Sequence, residues 1–291
     1  MRLFLILLFT INKFQVLGQS QAENLSNKAF EFYIHSENID SAIFYYKLLQ
    51  NQFPYYRPGY TFYQIGSCFL EKGDAEKAKS LFLHSMALSD TLDSYPEGAT
   101  LKIANIFFEE HNFQQALNYY DSSTSIYRNR NKYASTHQFS REGNYLTVYR
   151  KALCFEKLNQ TDTAIRILTP RMFKRKEDVH IDSKEYKNML DFYLILLRKK
   201  YTKKEIKNEF KIAMRQLTYK RENDTTFYKN NQEWKSIFID CYLYFFDKKV
   251  IVYSGGIGVK NFSEGIPKFY KKEYLLKELS ESSTYKKLSA L

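Results

Sequence analysis

Four alanines, Ala42, Ala78, Ala116 and Ala164, stand inside one recurring pattern of apolar residues, at intervals of 36, 38 and 48 residues. Around Ala78 the pattern is Phe62, Ile65, Gly66 and Phe69 on one side and Ala78, Leu81, Phe82 and Ser85 on the other. Spacings of three and four place each set on one stripe of an α-helix. Between them Gly73 tolerates a left-handed turn, and Asp74 can accept from the free backbone N–H groups that open the next helix. Residues 60–86 therefore predict two short amphipathic helices hinged at Gly73-Asp74. Glycine inside a helix costs about 1 kcal/mol relative to alanine, so Gly66 implies a close approach by the helix of Ala78.

The same spacing slid along the chain finds copies. Around Ala42 it selects Ala29, Phe30, Tyr33, Tyr46, Leu49 and Pro54, with bulky Phe30 at the place of the small residue. Around Ala116 it selects Ile103, Ala104, Phe107, Tyr120 and Ser123. Around Ala164 it selects Val148, Ala152, Phe155 and Leu168, with Lys151 where an apolar residue belongs and Pro170 predicted to cut the second helix short. The longest interval carries an insertion at 127–141, in which Arg128, Arg130 and Lys132 alternate with Asn, read as a solvated extension or a basic finger.

This pattern resembles the tetratricopeptide repeat, a helix-turn-helix unit of about 34 residues that stacks into a solenoid and needs at least three copies to bury a continuous core. Ser85 stands where the family's last alanine is usual, and Asp90 where proline is common. The expected fold is all-α: a tetratricopeptide-like helical solenoid of about four repeats over residues 19–170, followed by a basic, diverged helical part over 171–291. An irregular helical bundle with chance periodicity is the other reading. The resemblance further implies a concave groove lined by the first helix of each unit, which holds a peptide or protein. On the matching positions the groove candidates are Asn27, Glu31, Tyr63, Ser67, Leu101, Asn105, Tyr149 and Leu153; an ordinary wet surface is the alternative for each.

The chain opens with Met1-Arg2 and an apolar run from Leu3 to Ile11, and Val16-Leu17-Gly18 offers a cleavage site before Gln19. Residues 1–18 read as a secretory signal peptide, the alternative being a retained first helix. The run is far shorter than the roughly 20 residues that span a bilayer, so no transmembrane segment is expected in the mature chain. A periplasmic or cell-envelope location follows. Position 19 is Gln, which argues against a lipid anchor on cysteine. Asp-Ser/Thr triplets at Asp40, Asp90, Asp162 and Asp224 look like O-glycosylation acceptors, although acids at Asp40 and Asp162 also suit a first helical turn.

Charge is unevenly placed. Residues 171–291 hold 27 Lys+Arg against 16 Asp+Glu, so nearly all of the net +12 belongs there. Helices are expected at 183–200, at 202–219 behind a Thr202–Glu205 capping box, and at 232–246, with a loop at 220–229. The first two are expected to pack as a hairpin, plausible as a fifth unit. Val250 to Tyr253 is β-prone and leads into a Gly-rich stretch, Ser254 to Gly258, without the phosphate-loop spacing. A helix at 270–280 and a frayed tail complete the expectation.

Cys68, Cys154 and Cys241 are isolated, and the five His are scattered, so neither metal nor cofactor is expected. No nucleophile or zinc-protease motif is present, which lowers the expectation of an enzyme. Two function classes stand: a non-enzymatic binding scaffold for a protein or peptide partner, and an envelope-surface binder whose basic C-terminal helices meet anionic lipid or glycan. Nucleic acid fits the charge alone, but an export leader removes the chain from most of it.

Overall fold

A computed structural model describes residues 2–35, 38–89, 95–130, 145–173, 184–229, 232–259 and 271–291. The chain divides into two compact units, Met1–Tyr133 and Ala134–Leu291. Unit one contains α1 (Arg2–Ile34), α2 (Ile39–Gln52), α3 (Pro58–Glu71), α4 (Ala75–Leu88), α5 (Tyr95–Glu109) and α6 (Phe113–Arg130). Each helix packs on the one before it, and α3 also touches α5, so the first helices of successive pairs are neighbours.

The positions that close each pair repeat. Ala42, Ala78 and Ala116 lie four residues after the N-caps Asn38, Asp74 and Asn112, and all are fully buried. Tyr46, Phe82 and Tyr120, one turn further on, are equally buried. The caps work as the sequence requires: Asn38 accepts from Ser41 N at 3.0 Å, Asp74 from Lys77 N at 3.1 Å and Asn112 from Gln115 N at 3.3 Å. At Gly66 an added Cβ would lie 2.9 Å from the Phe82 ring, which is the close approach its glycine implied. Ser85, in the usual alanine place, donates to Gly59 O at 2.7 Å, and Ser123 donates in the same way to Glu97 O at 3.2 Å. The serines thus tie the second helices α4 and α6 to the starts of α3 and α5.

The turns share one geometry as well. Gly73, His111 and Asn159 hold left-handed backbone, φ 82°, 61° and 59°. Asp74 N donates to Phe69 O at 2.9 Å, Asn112 N to Phe107 O at 2.9 Å and Gln160 N to Phe155 O at 2.8 Å, the closure of a Schellman motif. In the first pair the corresponding bond runs from Asn38 N to Phe32 O, one residue longer. That extra residue shifts the register: the buried small residue of α1 is Ala29, and Phe30, assigned that place by fixed spacing, is 41% exposed.

Unit two contains α7 (Tyr145–Lys157), α8 (Thr161–Met172), α9 (Lys184–Lys200), α10 (Lys203–Arg215), β1 (Thr218–Lys229), β2 (Gln232–Phe245), β3 (Lys248–Val259), α11 (Lys272–Glu281) and α12 (Ser283–Ser289). The α7–α8 pair is the fourth repeat, with Ala152, Ala164 and Leu168 fully buried. Pro170 lies inside α8, which continues to Met172 rather than stopping short. Next, α9 packs on α7 and α8 as the first helix of a following unit would. Even an ion pair recurs: Lys200 at the end of α9 meets Asp162 of α8 at 2.6 Å, as Lys72 after α3 meets Asp40 of α2 at 2.6 Å.

The Thr202–Glu205 capping box forms as expected, and α10 keeps the burial register with Ile206, Phe210 and Ala213 inward. Its main neighbours, however, are β2 and α12, so the hairpin expected from the short α9–α10 turn is opened by these later elements of the chain. The predominantly helical fold departs from expectation over 218–259, where an antiparallel sheet in the order β1-β2-β3 replaces the predicted loop and helix. The reason lies in β2: Ile237, Ile239, Cys241, Leu243 and Phe245 are buried, whereas Phe238 and Tyr244 are 40% and 49% exposed. A period of two is a strand facing one core. Bulges interrupt the pairing at Glu222/Thr225 and at Cys241/Tyr242. The final residues do not fray either, because Thr284 and Leu288 of α12 are fully buried. No described helix is long and apolar enough to cross a membrane.

Candidate partner-binding surface

The groove positions fall on α1, α3 and α5 in unit one and on α7 in unit two. Those of unit one do not all face outward. Tyr63 of α3 packs on the rings of Phe82 (5.7 Å) and Tyr95 (5.9 Å), and its ring lies against Gly98 of α5. Burial raises its phenol pKa. Ser67 is buried and donates to Tyr63 O at 3.1 Å, closing its hydroxyl onto its own helix. Asn105 accepts from the Tyr120 hydroxyl at 2.8 Å across the α5–α6 pair, so its side-chain oxygen is committed inside the repeat. Leu101 is half-buried beside it, whereas Asn27 and Glu31 are exposed on α1.

The register shift in α1 changes which residues correspond. Counting from Ala29, the positions equivalent to Tyr63 and Ser67 are Ser26, which is buried, and Phe30, which is exposed. Fixed spacing missed Phe30 as a surface residue because the longer first turn could not be read without the Asn38–Phe32 bond. In unit two Tyr149 is half-buried, its ring 5.8 Å from Phe192 of α9, and burial together with the charge of Asp191 raises its pKa. Leu153 is half-buried on the same helix.

The basic balance of the C-terminal part is partly neutralised within unit two. Lys199 meets Glu156 at 2.6 Å and holds its carboxyl below the usual range, Lys200 meets Asp162, Lys249 meets Asp240 at 3.3 Å, and Lys287 meets Asp191. Of the expected glycosylation acceptors, Asp40-Ser41 and Asp162-Thr163 open α2 and α8, while the side chains at Asp90 and Asp224 lie outside the described residues. So do the side chains of the leader and residues 131–144 of the insertion. Among the described residues no group of His, Cys, Asp and Glu could hold a metal ion.

No family model and no curated protein matches the sequence. Among solved structures the chain is similar to a Podosopora anserina protein of kinesin light chain type with nearly identical TPR-like repeats and to a single-substitution variant of it. The variant gives a TM-score of 0.45 at 10% identity, over 62% of this chain and 86% of that one. The parent gives 0.44 at 10% identity, over 62% and 87%. On this chain's own geometry, the repeating buried positions, caps and turns make its helix pairs tetratricopeptide-like units.

Proposed function

We propose that this protein is an exported, non-enzymatic scaffold that holds a protein or peptide partner on the first helices of its repeats, in the periplasm or cell envelope. The observation that carries it is the repetition within unit one: the same few positions close each of its three helix pairs, which leaves the remaining surface free to suit a partner. On α1 that surface offers Asn27, Phe30 and Glu31, all exposed, an amide and a carboxylate flanking a ring.

The test is affinity purification of the tagged mature chain from its own envelope fraction, beside the triple change Asn27→Ala, Phe30→Ala and Glu31→Ala. A partner that follows the parent chain and is lost from the variant, with the helical circular dichroism intact, supports the reading. Equal recovery of that partner by both removes α1 from the interface, and no partner for either chain ends the scaffold proposal.

A second reading is favoured by the charge of residues 171–291, 27 Lys+Arg against 16 Asp+Glu: contact with an anionic lipid or glycan of the envelope. Such attachment weakens as salt screens it. Binding to anionic vesicles that is unchanged between low and high ionic strength would count against it.

A further inference from the structure

Unit two contains a cleft of about 440 Å³ between the outward side of α8, the end of α9 and the β2–β3 turn. Its walls bring together Asp162, Arg166 and Thr169 of α8, Tyr201 after α9, and Asp247-Lys248 at the turn. The size suits a small ligand. One wall is apolar: the Tyr201 and Phe246 rings stack at 4.1 Å with 12° between their planes. The turn that carries Phe246 is held from two sides, because Phe246 N also donates to Glu209 Oε1 at 3.1 Å.

That turn adopts a conformation its residues resist. Phe246 and Asp247 both have left-handed backbone, φ 46° and 59°, where a two-residue hairpin normally carries Asn-Gly. An aromatic residue kept in that region is fixed by its surroundings, and such positions gather at ligand sites. Here the strain sets a ring, a carboxylate and an ammonium side by side at the cleft.

The charges can be sorted. Asp162 and Lys200 neutralise each other at 2.6 Å. Arg166 and Lys248 make no ion pair among the described residues, against the single carboxylate of Asp247. At the floor the Thr169 hydroxyl is already bonded to Tyr193 OH at 2.9 Å and to Ile165 O at 2.8 Å, so it closes the cleft rather than offering a free donor. What is left to a ligand is a guanidinium and an ammonium for an anionic group, a carboxylate that accepts from hydroxyls, and the part of the Tyr201–Phe246 pair that Lys200, over the Tyr201 ring at 5.5 Å, and Phe245, 4.7 Å from the Phe246 ring, leave uncovered.

We propose that this cleft binds an acidic sugar, a mono- or disaccharide bearing one carboxylate or phosphate, with its anionic group on Arg166 and Lys248 and its ring against the Tyr201–Phe246 wall. Lipid headgroups lacking a sugar ring would leave that wall uncovered, and neutral sugars would leave both cations unpaired. The proposal rests on the reading as an envelope-surface binder only for the source of the sugar.

The test is titration of the full chain with glucuronic acid, glucose 6-phosphate and glucose, followed by calorimetry and saturation-transfer NMR, beside Arg166→Gln. Arg166 is exposed, so its removal leaves the fold intact, as the thermal midpoint checks. Saturable binding of glucuronate or of the sugar phosphate is expected, at least tenfold tighter than glucose, with a tenfold or greater loss in Arg166→Gln; whichever anion binds tighter names the group recognised. Equal binding of glucose, unchanged affinity in the variant, or no saturable binding of either anion up to about 10 mM overturns the site. Sugar binding without vesicle binding sinks the surface reading alone, and vesicle binding without sugar binding sinks the cleft alone.

Discussion

Gly73, His111 and Asn159 hold equivalent turns with the same left-handed backbone, but only the first carries the residue that adopts it without strain. An L-residue in that region costs about 1–2 kcal/mol. Gly73→Ala meets no neighbouring atom, so its loss of about 1 kcal/mol is a backbone effect alone; Asn159→Gly is expected to raise the midpoint of unfolding, and urea titration reads both. Ser85→Ala leaves the Gly59 carbonyl without its donor and is expected to cost about 1 kcal/mol. The buried thiols add a pH effect. Burial, with the charge of Glu71, pushes the Cys68 thiol up to about 12, and burial does the same for Cys154, to about 12. A value raised on folding contributes stability in full below the ordinary thiol pKa near 8.5 and loses it as pH rises toward the folded value. The urea midpoint should therefore fall between about pH 8.5 and 12, and neither thiol should react with a disulfide reagent at pH 8 until urea is added.

At the scale of elements, the helix pairs are legible because their stripes, caps and turn residues all agree. The segment 232–246 reads as a helix for a physical reason. Ile237, Cys241 and Phe245 recur every four residues, as a helix stripe would, and only Ile239 and Leu243, equally buried, reveal the alternation of a strand. The strand β1 is mostly polar, and nothing short of its partner identifies it. Alternation makes a clean prediction: Phe238→Lys on the exposed side should change stability by less than about 0.5 kcal/mol, whereas Ile239→Lys should abolish cooperative unfolding of unit two. Similar losses from both changes would contradict the assigned sides of β2. The groove candidates teach the same lesson from the other direction. Spacing places Tyr63, Ser67 and Asn105 on the correct helices, but the ring of Tyr95, the carbonyl of Tyr63 and the hydroxyl of Tyr120 have already taken them.

For the whole molecule, the division after Tyr133 predicts that residues 19–133 fold without the rest, because α1 to α6 hold three complete pairs with their own buried clusters. A cooperative thermal melt of that fragment by circular dichroism is expected, and a featureless one would deny its independence. Cutting after Arg215 should unfold unit two, since Phe210 loses the ring of Tyr285 at 5.3 Å and the buried Tyr186 hydroxyl loses Thr284 at 2.9 Å.

The sequence by itself determined the repeated helix pairs, since three- and four-residue spacing recurs in every unit and an asparagine or aspartate caps the second helix of the first three, both of them local properties. Tertiary structure alone decided the one-residue slip in α1, the sheet that opens the α9–α10 pair and the cleft beside Phe246. Each of these depends on which distant partner claims a side chain, and a pattern of near neighbours carries no record of that.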